Sequence, residues 1–127
     1  MKKVIHTEAA PAAIGPYSQG TAFNDLVFVS GQIPLDPNTM VFVDGGIKEQ
    51  TRQVMTNLQA VLKESGASLG SVLKTTCLLS DMENFAAFNE VYAEFFGTEG
   101  APARACFAAA GLPKGALVEV EAVAFKQ

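Results

Sequence analysis

The side chains that could do chemistry lie in the last quarter of the chain, within residues 102–125 (PARACFAAAGLPKGALVEVEAVAF). This segment predicts two strands joined by a Gly-Leu-Pro-Lys-Gly turn. Because side chains alternate between the faces of a strand, Arg104 and Cys106 share one face of the first strand. Glu119 and Glu121 share one face of the second strand in the same way. Charges on otherwise apolar strands are costly unless they are paired or used, so we expect the function here.

Composition limits the classes of function. The 127 residues fit a single domain, 1–127, with 49% hydrophobic and only 17% charged residues. Such an apolar balance suggests that part of the surface is buried against other copies of the chain. The net charge is -4, and the lysines and arginines are scattered, which argues against nucleic acid as the main ligand.

Histidine and cysteine are scarce. His6 is the only histidine, so histidine-rich metal sites and a Ser-His-Asp triad have little to build on. Cys77 and Cys106 lie in strand-like runs, and we interpret them as reduced thiols. The N-terminus lacks the apolar stretch of a secretory signal, and no run reaches the ~18 apolar residues of a membrane span, so we expect a cytoplasmic protein.

The elements that must position these groups follow from periodicity and turn signals. An Asn-Asp turn predicts a hairpin that ends at Ser30 and Gly31, where backbone could approach a ligand. Gly15-Pro16 predicts a turn that presents Tyr17, Ser18 and Gln19. The patterns predict strands at 4–7, 21–23, 26–30 and 72–79, with a short strand at 41–43. They also predict an amphipathic helix over 47–63 that is stopped by Gly66. A second helix is predicted to start with a capping box at 80–83 and to end at Gly97.

The order of these elements predicts where the helices pack. Strand-helix-strand crossovers are right-handed, so two successive crossovers place both helices on one face of the sheet. The other face carries apolar side chains and must be covered by something. Self-association is the simplest solution, and any site on that face would then lie between subunits.

Several motifs in the right order resemble the Rid family of reactive intermediate deaminases, in its RidA (YjgF-type) branch. They are AAIGPYSQG, SGQIPLDP, NLQAVLKESGAS, NEVYAEFF, PARAC and LPKGALVEVEAVA. The resemblance implies an α+β, chorismate-mutase-like fold, with a mixed sheet and two helices on one face. It also implies a homotrimer with a β-barrel core and active sites in three clefts between subunits.

The activity implied is hydrolysis of enamines and imines, such as 2-iminobutanoate and 2-iminopropanoate, to 2-keto acids and ammonia, without a metal or organic cofactor. Arg104 matches the arginine that grips the substrate carboxylate, which suits the guanidinium fork, although an ion pair with Glu119 or Glu121 is the structural alternative. Glu119 matches the carboxylate that activates water, and a glutamate on an apolar strand is a candidate for a raised pKa. Glu121 matches a second, more often structural, glutamate.

The remaining matches line the pocket. Cys106 is interpreted as pocket wall rather than as a nucleophile, because no base is available beside it. Tyr17 matches an aromatic residue that closes the pocket from a neighbouring subunit. Ser30, Gly31 and Asn89 are weaker matches to the lining, and Asn89 is a solvated helix residue on periodicity alone.

The chain departs from the family pattern at two positions. Ala105 stands where serine is usual, and Gly111 stands where arginine is common. These changes bear on substrate range and subunit contacts rather than on Arg104 or Glu119. Two other functions stay open: a non-catalytic trimer that binds small acids or acts as a chaperone, and an endoribonuclease or translation inhibitor, which the acidic charge disfavours.

Overall fold

The computed structural model describes all residues, 1–127. Six strands form one sheet, and two α-helices accompany it. In chain order the elements are β1 (Lys3–Ile5), β2 (Gly20–Phe23), β3 (Leu26–Gln32), α1 (Ile47–Glu64), β4 (Val72–Leu79), α2 (Phe85–Phe96), β5 (Ala103–Ala108) and β6 (Val118–Phe125). The α+β class with a mixed sheet is therefore confirmed.

The strand order in the sheet is β1-β2-β3-β6-β4-β5. All neighbours pair antiparallel except β4 and β5, which run parallel on either side of the α2 crossover. The two C-terminal strands are thus joined in sequence but not in space, because β4 lies between them. Cys106 on β5 lies opposite Cys77 on β4, and Cys77 in turn lies opposite Val120 on β6.

One face of the sheet is covered by both helices, as the crossover argument predicts. The apolar stripe of α1 is fully buried, and Phe88 and Tyr92 of α2 join the same core. The sheet contributes alternate residues to this core, including Val27, Val120 and Cys77, each 0% exposed. Apolar side chains recur every second residue in the strands and about every 3.6 residues in the helices. Burial of these side chains against each other drives the helices onto that face of the sheet.

The opposite face has no covering element. Large apolar side chains stand exposed on it, among them Phe28, Phe107 and Phe125. Phe28 on β3 is 46% exposed, while its strand neighbours Val27 and Val29 are buried on the other side. We call this the open face. Neither α-helix has the length and apolarity that crossing a membrane requires.

Four local predictions need correction. Residues 41–43 form no strand, only a bridge between Leu35 and Phe42. Strand alternation over 26–32 predicts that Gln32 shares the outward side of Phe28, but a bulge after Val29 shifts the register and buries Gln32. The strand at 4–7 is β1 and ends before His6. The predicted capping box is absent before α2, where Asp81 instead accepts a hydrogen bond from the Glu83 amide and a 3₁₀ turn leads into the helix.

Candidate active site

A recess on the open face surrounds Glu119. This cavity of 350 Å³ is lined by Ile14, Tyr17, Ser30, Gly31, Ile33, Pro113, Glu119 and Glu121. Its walls are apolar apart from the two carboxyls, the serine and the tyrosine, and no lysine or arginine lines it. A small ligand in this cavity would meet carboxyl oxygens at one end and aliphatic surface at the other.

A glycine makes room for the Glu119 carboxyl. The bulge in β3 displaces Ser30 and Gly31 from the ladder with β6, and Glu119 lies directly over Gly31. A Cβ added at Gly31 would overlap Glu119 Oε2 and approach its Cδ to 2.9 Å. Only glycine leaves the carboxyl this position, so the predicted close approach of backbone at the strand end is a contact with Glu119.

The loop before β2 forms one wall of the cavity. The Ser30 hydroxyl donates to the Ser18 carbonyl at 2.6 Å, which ties this loop to the end of β3. The backbone turns tightly at Tyr17, whose amide donates to the Gly15 carbonyl at 2.8 Å. Tyr17 is 49% exposed with its ring over Gly15, so it lines the cavity as the turn signal predicted.

The residue that holds this loop is Gln19, which the sequence did not reveal. Gln19 is 3% exposed, and its side-chain amide donates to the carbonyls of Thr7, Ala10 and Pro11. Its Oε1 accepts the Thr7 amide at 2.7 Å. The turn signal predicted that Gln19 is presented together with Tyr17 and Ser18, but the Gln19 side chain is turned inward and satisfies backbone groups that no regular element pairs.

The pKa of Glu119 is raised. Burial of the carboxyl is the main cause, and the charge of Glu121 on the same face adds to it. Neither carboxyl takes part in the two ion pairs of the chain, Lys48–Glu90 and Arg52–Glu94. The predicted raised pKa is thus confirmed in direction, and it places Glu119 closer to the range in which a carboxyl exchanges protons at neutral pH.

Arg104 is held by α2 rather than by a carboxylate. Its Nη1 donates to Asn89 Oδ1 at 2.8 Å. Its Cζ lies 4.9 Å from the Tyr92 ring centroid and 5.5 Å from that of Phe85. It forms no ion pair with Glu119 or Glu121, so that structural alternative is wrong for the single chain. The other N–H donors of this exposed guanidinium have no partner in the chain, and they are available to an anion.

Cys106 lies beside Arg104 on β5 and is partly buried. Burial raises the pKa of its thiol, and the charge of Arg104 offsets this only in part. Its neighbour Cys77 is fully buried, and burial raises the pKa of that thiol to about 12. Both cysteines are therefore neutral thiols at physiological pH, and neither has the character of an activated nucleophile.

The two predicted groups of site residues lie on opposite faces of the sheet. Arg104 is opposite Thr75 of β4, and Thr75 is opposite Ala122 of β6, so all three point to the helix-covered side. Glu119 is opposite Leu78 and points to the open face. A single chain therefore brings together Tyr17, Ser30, Gly31 and Glu119, and separately Asn89, Arg104 and Cys106.

Two functional contacts were missed in sequence reasoning. The helical spacing of apolar residues predicts that Phe85 and Tyr92 lie in the core stripe of α2, yet both rings also support Arg104. The available signal was their spacing of seven residues, with Asn89 between them, which places all three near one face of a helix.

The chain is similar to known proteins over nearly its whole length. The family model described as Endoribonuclease L-PSP matches residues 7–126. A RutC family protein of Pyrococcus horikoshii is 52% identical over the full length of both chains. A mouse protein named 2-iminobutanoate/2-iminopropanoate deaminase is 46% identical over 98% of this chain and 91% of its own.

A solved structure extends this similarity to the fold. The crystal structure of E. coli TdcF with bound serine superposes with a TM-score of 0.92 at 40% identity. The match covers 98% of this chain and 99% of TdcF. The sequence similarity and the structural similarity therefore both extend over nearly the whole chain.

Proposed function

The chain belongs to the endoribonuclease L-PSP family, which includes the Rid (YjgF-type) proteins, and we propose that it hydrolyses 2-imino acids and their enamines to 2-keto acids and ammonia. The observation that carries the proposal is the Glu119 carboxyl, partly buried at a 350 Å³ cavity and without an ion-pair partner. The deaminase name of the mouse relative supports the same reaction. Candidate substrates are 2-iminobutanoate and 2-iminopropanoate.

Arg104 binds the substrate carboxylate in this proposal. A guanidinium can meet a carboxylate with two parallel charge-assisted hydrogen bonds, which fix both position and orientation. Asn89 and the aromatic rings of α2 hold the guanidinium while leaving its other donors free. Cys106, next on the same face of β5, supplies pocket wall.

Glu119 carries the proton transfers. An enamine first takes a proton on carbon and loses one from nitrogen to become the imine, and water then adds to the C=N carbon. Glu119 takes a proton from that water and returns it to the nitrogen, which gives a carbinolamine with C–OH and C–NH2 groups. The hydroxyl proton then passes through Glu119 to the nitrogen, the C=O bond of the keto acid forms, and the C–N bond breaks to release ammonia. A positioned acid–base group contributes typically ~10²–10⁴ in rate, which suffices for imines that already hydrolyse slowly in water.

The site is completed between copies of the chain. Arg104 and Glu119 lie on opposite faces of one sheet, so one bound substrate reaches both only if they come from different subunits. The exposed apolar side chains of the open face support association through that face. We propose a homotrimer with three such sites, in which Tyr17, Ser30, Gly31 and Glu119 of one subunit face Asn89, Arg104 and Cys106 of the next.

A non-catalytic role in binding small acids is the second candidate. It is favoured by the structural similarity to TdcF, which was solved with bound serine. An arginine and a glutamate in one cleft suit binding as well as turnover, so only turnover separates the two. The nuclease name of the family model is weaker support, because the chain is acidic, has one histidine and shows no basic lining in the Glu119 cavity.

The first test measures keto acid release from freshly generated 2-iminobutanoate and 2-iminopropanoate. We expect wild type to accelerate release over the reaction without protein, and Arg104→Ala and Glu119→Ala each to abolish the acceleration with the oligomer intact by light scattering. Equal rates with and without wild-type protein would refute the enzyme and leave the binding protein. Binding of single-stranded RNA, tested at several salt concentrations, would instead support the nuclease.

A second test addresses assembly between subunits. Arg104→Ala and Glu119→Ala subunits are co-expressed with different tags, and trimers that carry both tags are purified. Each mixed trimer would then contain one site with both side chains intact, so activity should reappear although neither parent variant is active. Inactive mixed trimers would show that the two residues do not act across a subunit boundary.

A further inference from the structure

Arg104 makes more side-chain contacts than an exposed arginine needs to stay folded against the surface. Arg104 lies on β5, an edge strand, and its side chain is exposed. Even so, the guanidinium contacts three side chains of α2: Asn89, Phe85 and Tyr92. An exposed arginine normally loses little by sampling several rotamers, and ordering it costs free energy. The contacts therefore point to a guanidinium held in one orientation.

Tyr92 is the fixed part of this support. Its ring centroid is the nearer of the two to Arg104 Cζ, at 4.9 Å, and the residue is 6% exposed. The ring packs at tilted angles against Phe88 and Phe96, with centroids 5.4 Å and 4.8 Å away. A buried ring contacted on several sides cannot turn without disturbing the core.

A buried hydrogen bond fixes the far end of the ring. The Tyr92 hydroxyl and the Thr75 hydroxyl lie 2.7 Å apart, and Thr75 is 0% exposed. Thr75 is the residue on β4 directly opposite Arg104 on β5. The Tyr92 side chain is thus contacted from two neighbouring strands. Thr75 of β4 binds its hydroxyl, and the Arg104 guanidinium of β5 lies over its ring.

We propose that Tyr92, held by Thr75, is the positioning residue for Arg104 and sets how strongly the site prefers ligands that carry a carboxylate. The inference rests on the proposed function, because it assigns Arg104 to the substrate carboxylate. Tyr92 touches the arginine and not the substrate. The face of an aromatic ring attracts a guanidinium lying over it, so the ring holds the plane while the edge N–H groups remain free for the carboxylate.

The consequence is a separation between binding and turnover. The carboxylate is bound in the same way in the ground state and in the transition state, so a looser arginine raises KM and leaves kcat nearly unchanged. Losing an aromatic support for a cation corresponds to about a 5- to 10-fold change in affinity. Loss of the Glu119 proton transfer would instead lower kcat.

The test compares Tyr92→Leu and Tyr92→Phe with wild type, and uses Phe95→Leu as a matched control. Phe95 is an aromatic residue of the same helix that packs against the core but not against Arg104. We expect Tyr92→Leu to raise KM for 2-iminobutanoate about 5- to 10-fold at near-constant kcat, and Tyr92→Phe, which keeps the ring, to lie between it and wild type. Phe95→Leu should match wild type in KM.

A binding measurement separates positioning from general damage to the pocket. Calorimetry compares 2-ketobutyrate with its uncharged amide, 2-ketobutyramide. Tyr92→Leu should weaken binding of the acid and leave binding of the amide unchanged. The ratio of the affinity for the acid to the affinity for the amide should therefore be smaller than in wild type. Equal weakening of both ligands, or no weakening of either in a folded variant, would overturn the proposal.

Tyr92→Leu leaves the buried Thr75 hydroxyl with the Cys77 thiol, 3.7 Å away, as its one remaining side-chain partner, so it could unfold the chain rather than loosen the arginine. The double variant Tyr92→Leu, Thr75→Val removes that hydroxyl, and replacing both partners by apolar groups costs little. The same loss of acid discrimination is expected in it. Wild type that neither binds nor turns over these acids would refute the proposed function itself, whereas active wild type with an unchanged Tyr92→Leu variant refutes only this inference.

Discussion

The two sides of the sheet treat their charged groups in opposite ways. On the helix-covered side, Arg104 is supported by the hydrogen bond that it donates to Asn89 and by two aromatic rings. On the open face, Glu119 has only Gly31 beneath it and Glu121 beside it, and its pKa is raised by burial and by that neighbouring charge. The Arg104 guanidinium is held in one orientation by its neighbours, whereas the ionised form of the Glu119 carboxyl is destabilised by its surroundings.

This difference matches the two tasks of the proposed reaction. A group that binds an anion must keep its charge and its orientation, which neighbouring dipoles and rings provide. A group that exchanges protons must be able to change its charge, which partial burial without an opposite charge provides. The comparison therefore predicts that damage to the Glu119 side appears in kcat, and damage to the Arg104 side appears in KM.

Among substitutions that keep a charged side chain at 104 and a carboxyl at 119, the largest effect is expected at Gly31. In Gly31→Ala the new Cβ overlaps Glu119 Oε2, and the flexible carboxyl must move away from its position. We expect kcat to fall on the order of 10²-fold, since a displaced proton-transfer group loses most of its contribution, while 2-ketobutyrate binding persists. Gly46→Ala is the control, because a Cβ there meets nothing within 4 Å. An unchanged kcat would show that the carboxyl position is unimportant.

The next effect is expected at Arg104 itself. Arg104→Lys keeps the charge but loses the planar fork and its stacking on Tyr92. Loss of one charge-assisted hydrogen bond, worth about 1.5 kcal/mol, predicts a rise in KM on the order of 10-fold with kcat nearly constant. Steady-state kinetics check this, and Arg52→Lys, at an exposed ion pair with Glu94, serves as the control. A fall in kcat without a change in KM would contradict the assignment of Arg104 to substrate binding and of Glu119 to proton transfer.

Local patterns in the sequence predicted most elements, for identifiable reasons. The helix over 47–63 is observed as Ile47–Glu64, because its apolar stripe is continuous and Gly66, at φ +81°, ends it. The strand at 72–79 is observed at the same bounds. The Asn-Asp turn is observed with Asn24 at φ 52°, in the left-handed region that such turns require. Each of these depends on a short stretch of chain.

Long-range pairing limited the prediction of the site. The motifs identified Arg104 and Glu119, but nothing in the last quarter of the chain indicates that β4 enters between their strands. The relative face of the two residues depends on that register, and on an edge strand the alternation of exposure that would reveal it is weak. Gln19 was missed for a related reason, because its hydrogen-bond partners at 7–11 belong to a loop without periodicity.

The smallest effect concerns pH, and it tests whether Glu121 contributes to the state of Glu119. A base must be unprotonated, so activity should fall as the pH drops through the raised pKa of Glu119. Glu121→Gln removes the second cause of that shift and leaves burial, so the acid limb of the kcat profile should move to lower pH. Glu83→Gln, which changes an exposed carboxyl in the 3₁₀ turn before α2, should leave the limb in place.

The same variant has a predicted effect on stability. A carboxyl whose pKa is raised on folding makes the native state bind more protons than the unfolded chain, so stability falls as the pH rises from the unfolded pKa towards the folded one. Glu121→Gln reduces this loss, and its melting temperature at neutral pH should rise slightly above that of wild type. A limb that stays fixed and an unchanged melting temperature would together show that Glu121 does not repel Glu119, and would assign the raised pKa to burial alone.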